Sequence, residues 1–223
     1  MGVSGDVVGR CRAGRGSVAV FICDPRLMNT FRSLSDSIEL NFTIPESPED
    51  LPKGEVLVVD DECLQLLERQ HVLEGLKVMR VNEGNILSRV LELVGIRRVK
   101  ALLVGVDLGT AVNYVILADN VLLEYGAVGS ASDLMCSLLR VRDALRPEKV
   151  FIKVGVSPAG LHERFLDELL GLVGGCDYVL TLVDEHRTNV ECPVSYVGRK
   201  AFKGMDFKAC INIALREGLR ITV

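Results

Sequence analysis

The stretch "ALLVGVDLGTAVNYVILADNVLLEYGAV", residues 101–128, holds three apolar runs separated by very short breaks. The runs "ALLVGVD", "AVNYVILA" and "VLLEYGAV" are rich in Val, Leu and Ile and read as strands. Their connections are too short for helical crossovers, so successive strands are antiparallel neighbours. The break at Asp119-Asn120 has residues that tolerate left-handed backbone, a hairpin signal. A three-stranded meander is the kernel of the expected fold.

Downstream the grammar changes to alternating helix and strand. "SASDLMCSLLRVRDALR" (130–146) has a Ser-rich start and apolar residues at helical spacing. The strand "KVFIKVGV", the helix "LHERFLDELLGLV", the strand "YVLTLVD" and the helix "MDFKACINIALREG" follow. The order is βββαβαβα, a meander extended by parallel crossovers.

Upstream, residues 17–98 read as a small α/β accessory domain with mostly parallel strands. "SVAVFICD", "IELNFTI", "EVLVVDD" and "LKVMRV" are expected strands; "PRLMNTFRSLSD", "ECLQLLERQ" and "NILSRVLELVG" are expected helices. Pro25 suits a first helical turn, and the prolines of "PESPEDLPKG" mark a loop. Residues 1–16, rich in Gly and Arg, read as a flexible tail, which leaves residues 99–223 as the second domain.

Composition narrows the function classes. The chain has 223 residues, 48% hydrophobic and 25% charged, as a globular protein with ample core requires. No apolar run approaches the roughly 18 residues of a membrane span, and the start lacks a secretory h-region. A cytoplasmic protein without membrane partners is expected. None of the seven cysteines lies within three residues of another, which excludes CxxC zinc and redox motifs and suggests buried free thiols. With three histidines, a His-rich metal site is not expected. Carboxylates would hold any metal, which favours Mg2+ or Mn2+. The net charge is −4, but residues 17–98 carry nine basic and fourteen acidic side chains, an unsuitable nucleic-acid platform. Arg187, Arg199, Lys200, Lys203 and Lys208 form a basic span that reads either as solvated surface or as a phosphate-facing patch.

The acids at strand ends carry the sharpest expectation. Asp107 ends one strand, Asp184 and Glu185 end another, and Asp206 opens the last helix. Strands leave a core somewhere, and acids favour water there. Open α/β sheets also gather functional groups at strand ends, and converging carboxylates are relieved by a divalent cation. Gly105 and Gly109 would let a substrate backbone approach Asp107, and Thr110 could lend a hydroxyl. A tight hairpin would equally explain Gly109.

"LLVGVDLGTA", "FIKVGVSPAG", "LVDEHRTN" and "GMDFKACINIAL", in that order, resemble the motifs of the YqgF family. These RuvC-like members of the ribonuclease H-like superfamily are described as Holliday-junction resolvases and as processors of ribosomal RNA precursors. The resemblance covers about residues 101–219, and βββαβαβα is the order of that fold. It implies a Mg2+- or Mn2+-dependent nuclease acting on RNA or branched DNA. Asp107, Glu185 and Asp206 would be its catalytic acids, with Asp184 also among the candidate metal ligands. Gly109, Thr110, Arg187, Lys200 and Lys203 would face substrate. Alternation along the strand sends Asp184 and Glu185 to opposite faces, and the resemblance favours Glu185. A junction resolvase would also need a two-fold dimer.

The chain departs from the family where Ala111 and Val112 replace a basic residue after the DxGT-like turn, and where His186 precedes Arg187. A non-catalytic scaffold with the same fold is the alternative reading. "GVDLGT" also resembles the first phosphate loop of sugar kinases and Hsp70 chaperones, but no second Gly-rich loop follows. "VLVVDDE" resembles the acidic pair of a two-component receiver, yet it follows the third expected strand and lacks a phosphoacceptor strand. No GxxxxGK[ST] or GxGxxG is present.

Overall fold

The computed structural model of the chain describes residues 18–38, 40–51, 55–119, 121–156, 163–174, 177–184 and 205–221. Two compact units emerge: Met1–Phe31 with Leu40–Arg97, and Arg32–Glu39 with Arg98–Val223. Both are α/β, and the described residues contain six α-helices.

From residue 18 to residue 93, β1 (Val18–Phe21), α1 (Pro25–Ser37), β2 (Val56–Val59), α2 (Asp61–Arg69), β3 (Lys77–Arg80) and α3 (Ile86–Leu93) alternate; all belong to the first unit except the second half of α1, from Arg32 on. The three strands form a parallel sheet in the order β1-β2-β3. Its core sets Ala19, Leu57 and Val59 against Leu64 and Leu67 of α2. The expected strand "IELNFTI" is corrected here to one parallel bridge, Ala19 to Thr43. Pro45 lacks the N–H that would extend the ladder. Phe42 instead packs edge-on against Phe31 of α1, with ring centroids 5.1 Å apart.

The second unit is built on β4 (Ala101–Leu108), β5 (Val112–Ala118), β6 (Val121–Val128), α4 (Ala131–Leu145), β7 (Lys149–Val156), α5 (Glu163–Val173), β8 (Tyr178–Asp184), α6 (Met205–Leu215) and β9 (Leu219–Ile221). The sheet order is β6-β5-β4-β7-β8-β9. β4, β5 and β6 form the expected antiparallel meander. β7 and β8 extend it in parallel from β4, and β9 adds an antiparallel edge that the sequence pattern did not announce. Asp119 takes φ +44° in the β5–β6 turn, and its carboxylate accepts hydrogen bonds from Lys100 N and Ala101 N. Ser130 caps α4 by accepting from Asp133 N at 3.1 Å.

Every residue of β5 is buried, because helices cover both of its faces. On one face Val115 and Leu117 pack against Cys210, Ile211 and Ala214 of α6. On the other, the Tyr114 hydroxyl meets Glu124 at 2.7 Å and Ser137 of α4 at 3.3 Å. Burial pushes the Tyr114 phenol up from its ordinary range. Gly126 leaves room for the Tyr114 ring, which would lie 3.2 Å from a Cβ at that position.

Candidate functional site

Asp107 is the next-to-last residue of β4 and is half-buried. It aligns with Asn113 of β5, a buried amide whose Nδ2 donates to the Ala111 carbonyl at 3.5 Å. Gly109, Thr110 and Ala111 join the two strands and are exposed. A Cβ on Gly109 would meet only the Ala111 carbonyl, at 3.6 Å, and Gly109 is not among the glycines with positive φ. The turn therefore has open space above it and does not depend on left-handed backbone there.

Pleating decides what shares a face with Asp107. Gly105 faces α6: a Cβ there would collide with the Cys210 carbonyl and lie 2.8 Å from the Ala214 Cβ. This corrects the expectation that Gly105 admits substrate, since it admits a helix. Asp107, two residues further along the strand, lies on that same face. Asp206 stands in the first turn of α6, beside Phe207, whose ring packs 4.6 Å from that of Tyr125 on β6. The helix on Asp107's face is thus the one that carries Asp206.

Asp184 is placed differently. In register, Gly105 aligns with Lys153 of β7, and Lys153 with Thr181 of β8. Asp184 lies three residues beyond Thr181, an odd step, so pleating sends it to the face opposite Asp107. Its backbone carbonyl accepts from Arg216 Nη1 at 3.4 Å. Glu185, Arg187, Arg199, Lys200 and Lys203 lie outside the described residues.

Lys153 was not singled out from the sequence, although a lone lysine inside the apolar run "KVFIKVGV" is a visible signal. Its ammonium donates to the Arg216 carbonyl just past the end of α6, where a cation also suits the helix dipole. Burial pulls its pKa below the ordinary lysine value, and Glu217 opposes that shift. Lys153 thus fixes the end of α6 opposite to Asp206. Asn113 was also missed, because its significance depends on its register with Asp107.

The cysteines need a correction. Cys23 and Cys63 form a disulfide with Cα atoms 5.5 Å apart, where free thiols were expected. They stand 40 residues apart in sequence, yet they follow adjacent parallel strands, β1 and β2. Among the described residues, Cys136 and Cys210 stand outside any disulfide; Cys210 is buried and Cys136 is exposed. The single trio of potential metal ligands found among the described residues is Cys23, Asp60 and Cys63, which belong to the first unit. No helix among the described residues is long and apolar enough to cross a membrane. No protein-family model matches the chain, and no curated protein is significantly similar to it.

Proposed function

We propose that the second unit is a ribonuclease H-like domain of the YqgF kind, a metal-dependent nuclease that hydrolyses phosphodiesters in RNA precursors or branched DNA. One observation carries the reading. Asp107 stands next to the last residue of β4, the strand from which parallel strands extend the meander, on the face covered by the helix that Asp206 opens. Mg2+ or Mn2+ would suit this donor set, because Asp107, Asp206 and Glu185 offer only carboxylate oxygens and the Asn113 amide is in register with Asp107. A bound cation would neutralise phosphate charge and ease deprotonation of the attacking water.

The remaining roles belong to the chain's own residues. Gly109 and Thr110 form an exposed turn beside Asp107, so a phosphate can approach with the Thr110 hydroxyl as donor. Arg187, Lys200 and Lys203 would supply phosphate contacts, with the forked donors of Arg187 the best matched. Lys153 is a positioning residue that anchors α6.

The test compares the full chain with Asp107→Asn on single-stranded RNA, duplex DNA and a four-way junction. Each is incubated with Mg2+, Mn2+ or chelator. Metal-dependent cutting that disappears in a folded Asp107→Asn supports the nuclease and identifies its substrate class. Binding by both proteins without cutting supports the second reading, a non-catalytic scaffold. That reading draws on Ala111 and Val112 at the turn and on the placement of Asp184 away from Asp107.

A further inference from the structure

We propose that Cys23, Asp60 and Cys63 form a redox-gated site for a thiophilic divalent cation, zinc by preference. The disulfide closes the site, and reduction opens it. The three donor atoms lie within 4.8 Å of one another. They sit just beyond the C-terminal ends of β1 and β2, the edge at which open parallel sheets place functional groups. Two thiolates and a carboxylate form a soft, zinc-like donor set, unlike the all-carboxylate set around Asp107. Sulfurs sharing one tetrahedral zinc stand roughly 3.7 Å apart, given Zn–S bonds of about 2.3 Å. The two sulfurs, bonded in the disulfide, would have to move apart to that separation after reduction.

Asp60 makes the site more than a cross-link. Its Oδ2 accepts from Cys23 N at 3.0 Å and from Asp24 N at 2.8 Å, while its Oδ1 accepts from Cys63 N at 3.0 Å. The first two bonds tie the segment after β1 to the start of α2, which the disulfide also joins, and the third caps α2, so the two segments would stay apposed when the S–S bond breaks. A carboxylate has about four acceptor positions, and three are used here, which leaves one on Oδ1 for a cation. The backbone donors would orient that ligand, as outer-shell hydrogen bonds do at metal sites. Asp24, Asp61 and Glu62 add negative charge in the adjoining chain.

Opening balances as a thiol–disulfide exchange with a dithiol reductant. Its thiolate attacks Cys23 Sγ, the more accessible sulfur, because Cys63 is only 3% exposed. The S–S bond breaks, Cys63 leaves as a thiolate in the first turn of α2, and the reductant's second thiolate then displaces Cys23. The reductant ends as a disulfide, and the two protein sulfurs take up two electrons and two protons. Zinc binding returns the thiol protons to solvent. Three protein ligands leave a fourth position for water or a partner's donor.

Cobalt(II) serves as the spectroscopic probe. The full chain is reduced with a phosphine, freed of metal under anaerobic conditions and titrated with Co2+. One equivalent should give tetrahedral d–d bands and a thiolate charge-transfer band, both displaced by Zn2+. Oxidised protein, Cys23→Ser and Cys63→Ser should lose the charge-transfer band. The proposal is overturned if the band persists in the Cys23→Ser/Cys63→Ser double variant, which would assign it to other cysteines. It is equally overturned if reduced, folded protein shows no band. Loss of the first unit's circular dichroism on reduction would overturn it too, leaving a purely structural disulfide.

Discussion

The two sheets solve one problem with different means. In the first unit, three strands of four residues each bury little surface, and the loops after β1 and β2 are tied by Asp60 and a disulfide. In the second, a sheet of six strands includes a β5 that is buried throughout, and the turn after β4 is left exposed. Small cores need staples, whereas larger ones hold their elements by packing. The difference teaches where chemistry can sit. The large sheet can place an acid beside an open turn because its stability comes from elsewhere.

That contrast can be broken most sharply at Asp107. On the nuclease reading, Asp107→Asn should reduce cleavage by on the order of a thousandfold or more, about 4 kcal/mol of transition-state stabilisation. Its thermal midpoint should match wild type by calorimetry. A comparable loss of stability would instead make Asp107 a structural acid.

Reducing Cys23–Cys63 tests the other unit. Chain-entropy reckoning for the 40-residue separation gives up to about 4 kcal/mol. Urea denaturation should show the loss in the first unit and leave the second unmoved.

Gly105→Ala reverses that pattern. Its methyl must displace the Cys210 carbonyl, so the second unit should lose about 3 kcal/mol while the first keeps its denaturation midpoint. An unchanged second unit would mean that α6 is not seated on β4.

The smallest effect is expected at Lys153→Met, about 1 kcal/mol for the lost hydrogen bond to the Arg216 carbonyl. The pH dependence has a definite sign. The folded pKa of Lys153 lies below its ordinary 10.5, so the unfolded chain binds more protons between the two values. Wild type should therefore gain stability relative to Lys153→Met as pH rises through that alkaline window. A flat difference across it would show that Lys153 is as well solvated folded as unfolded.

The meander and the alternation after it were legible because β-branched runs, short breaks and a Ser cap are local signals. "IELNFTI" looked the same locally, but Pro45 and the Phe42–Phe31 contact withdraw it from the sheet. β9 gave no warning: its three residues include Leu219, 74% exposed, and it is held by pairing with β8. Gly105 was misread because its neighbour, α6, follows it only after four further strands. The site was half legible for the same reason. Residue type and strand ends pointed to Asp107, whereas the face of Asp184 depends on register through β7. Cys23 and Cys63 meet through strand adjacency, which no spacing rule encodes.

The seating of α6 on Gly105 has a consequence for synthesis. The ribosome makes β4 first, and the helix that closes its face emerges only after β5, β6, β7 and β8. Until then a nascent chain exposes that apolar surface, including Val115 and Leu117 of β5. Chaperones that hold exposed hydrophobic segments would have a defined window in which to act. Asp107 also waits on the ribosome, without its neighbouring helix, until residues 205–215 have been made.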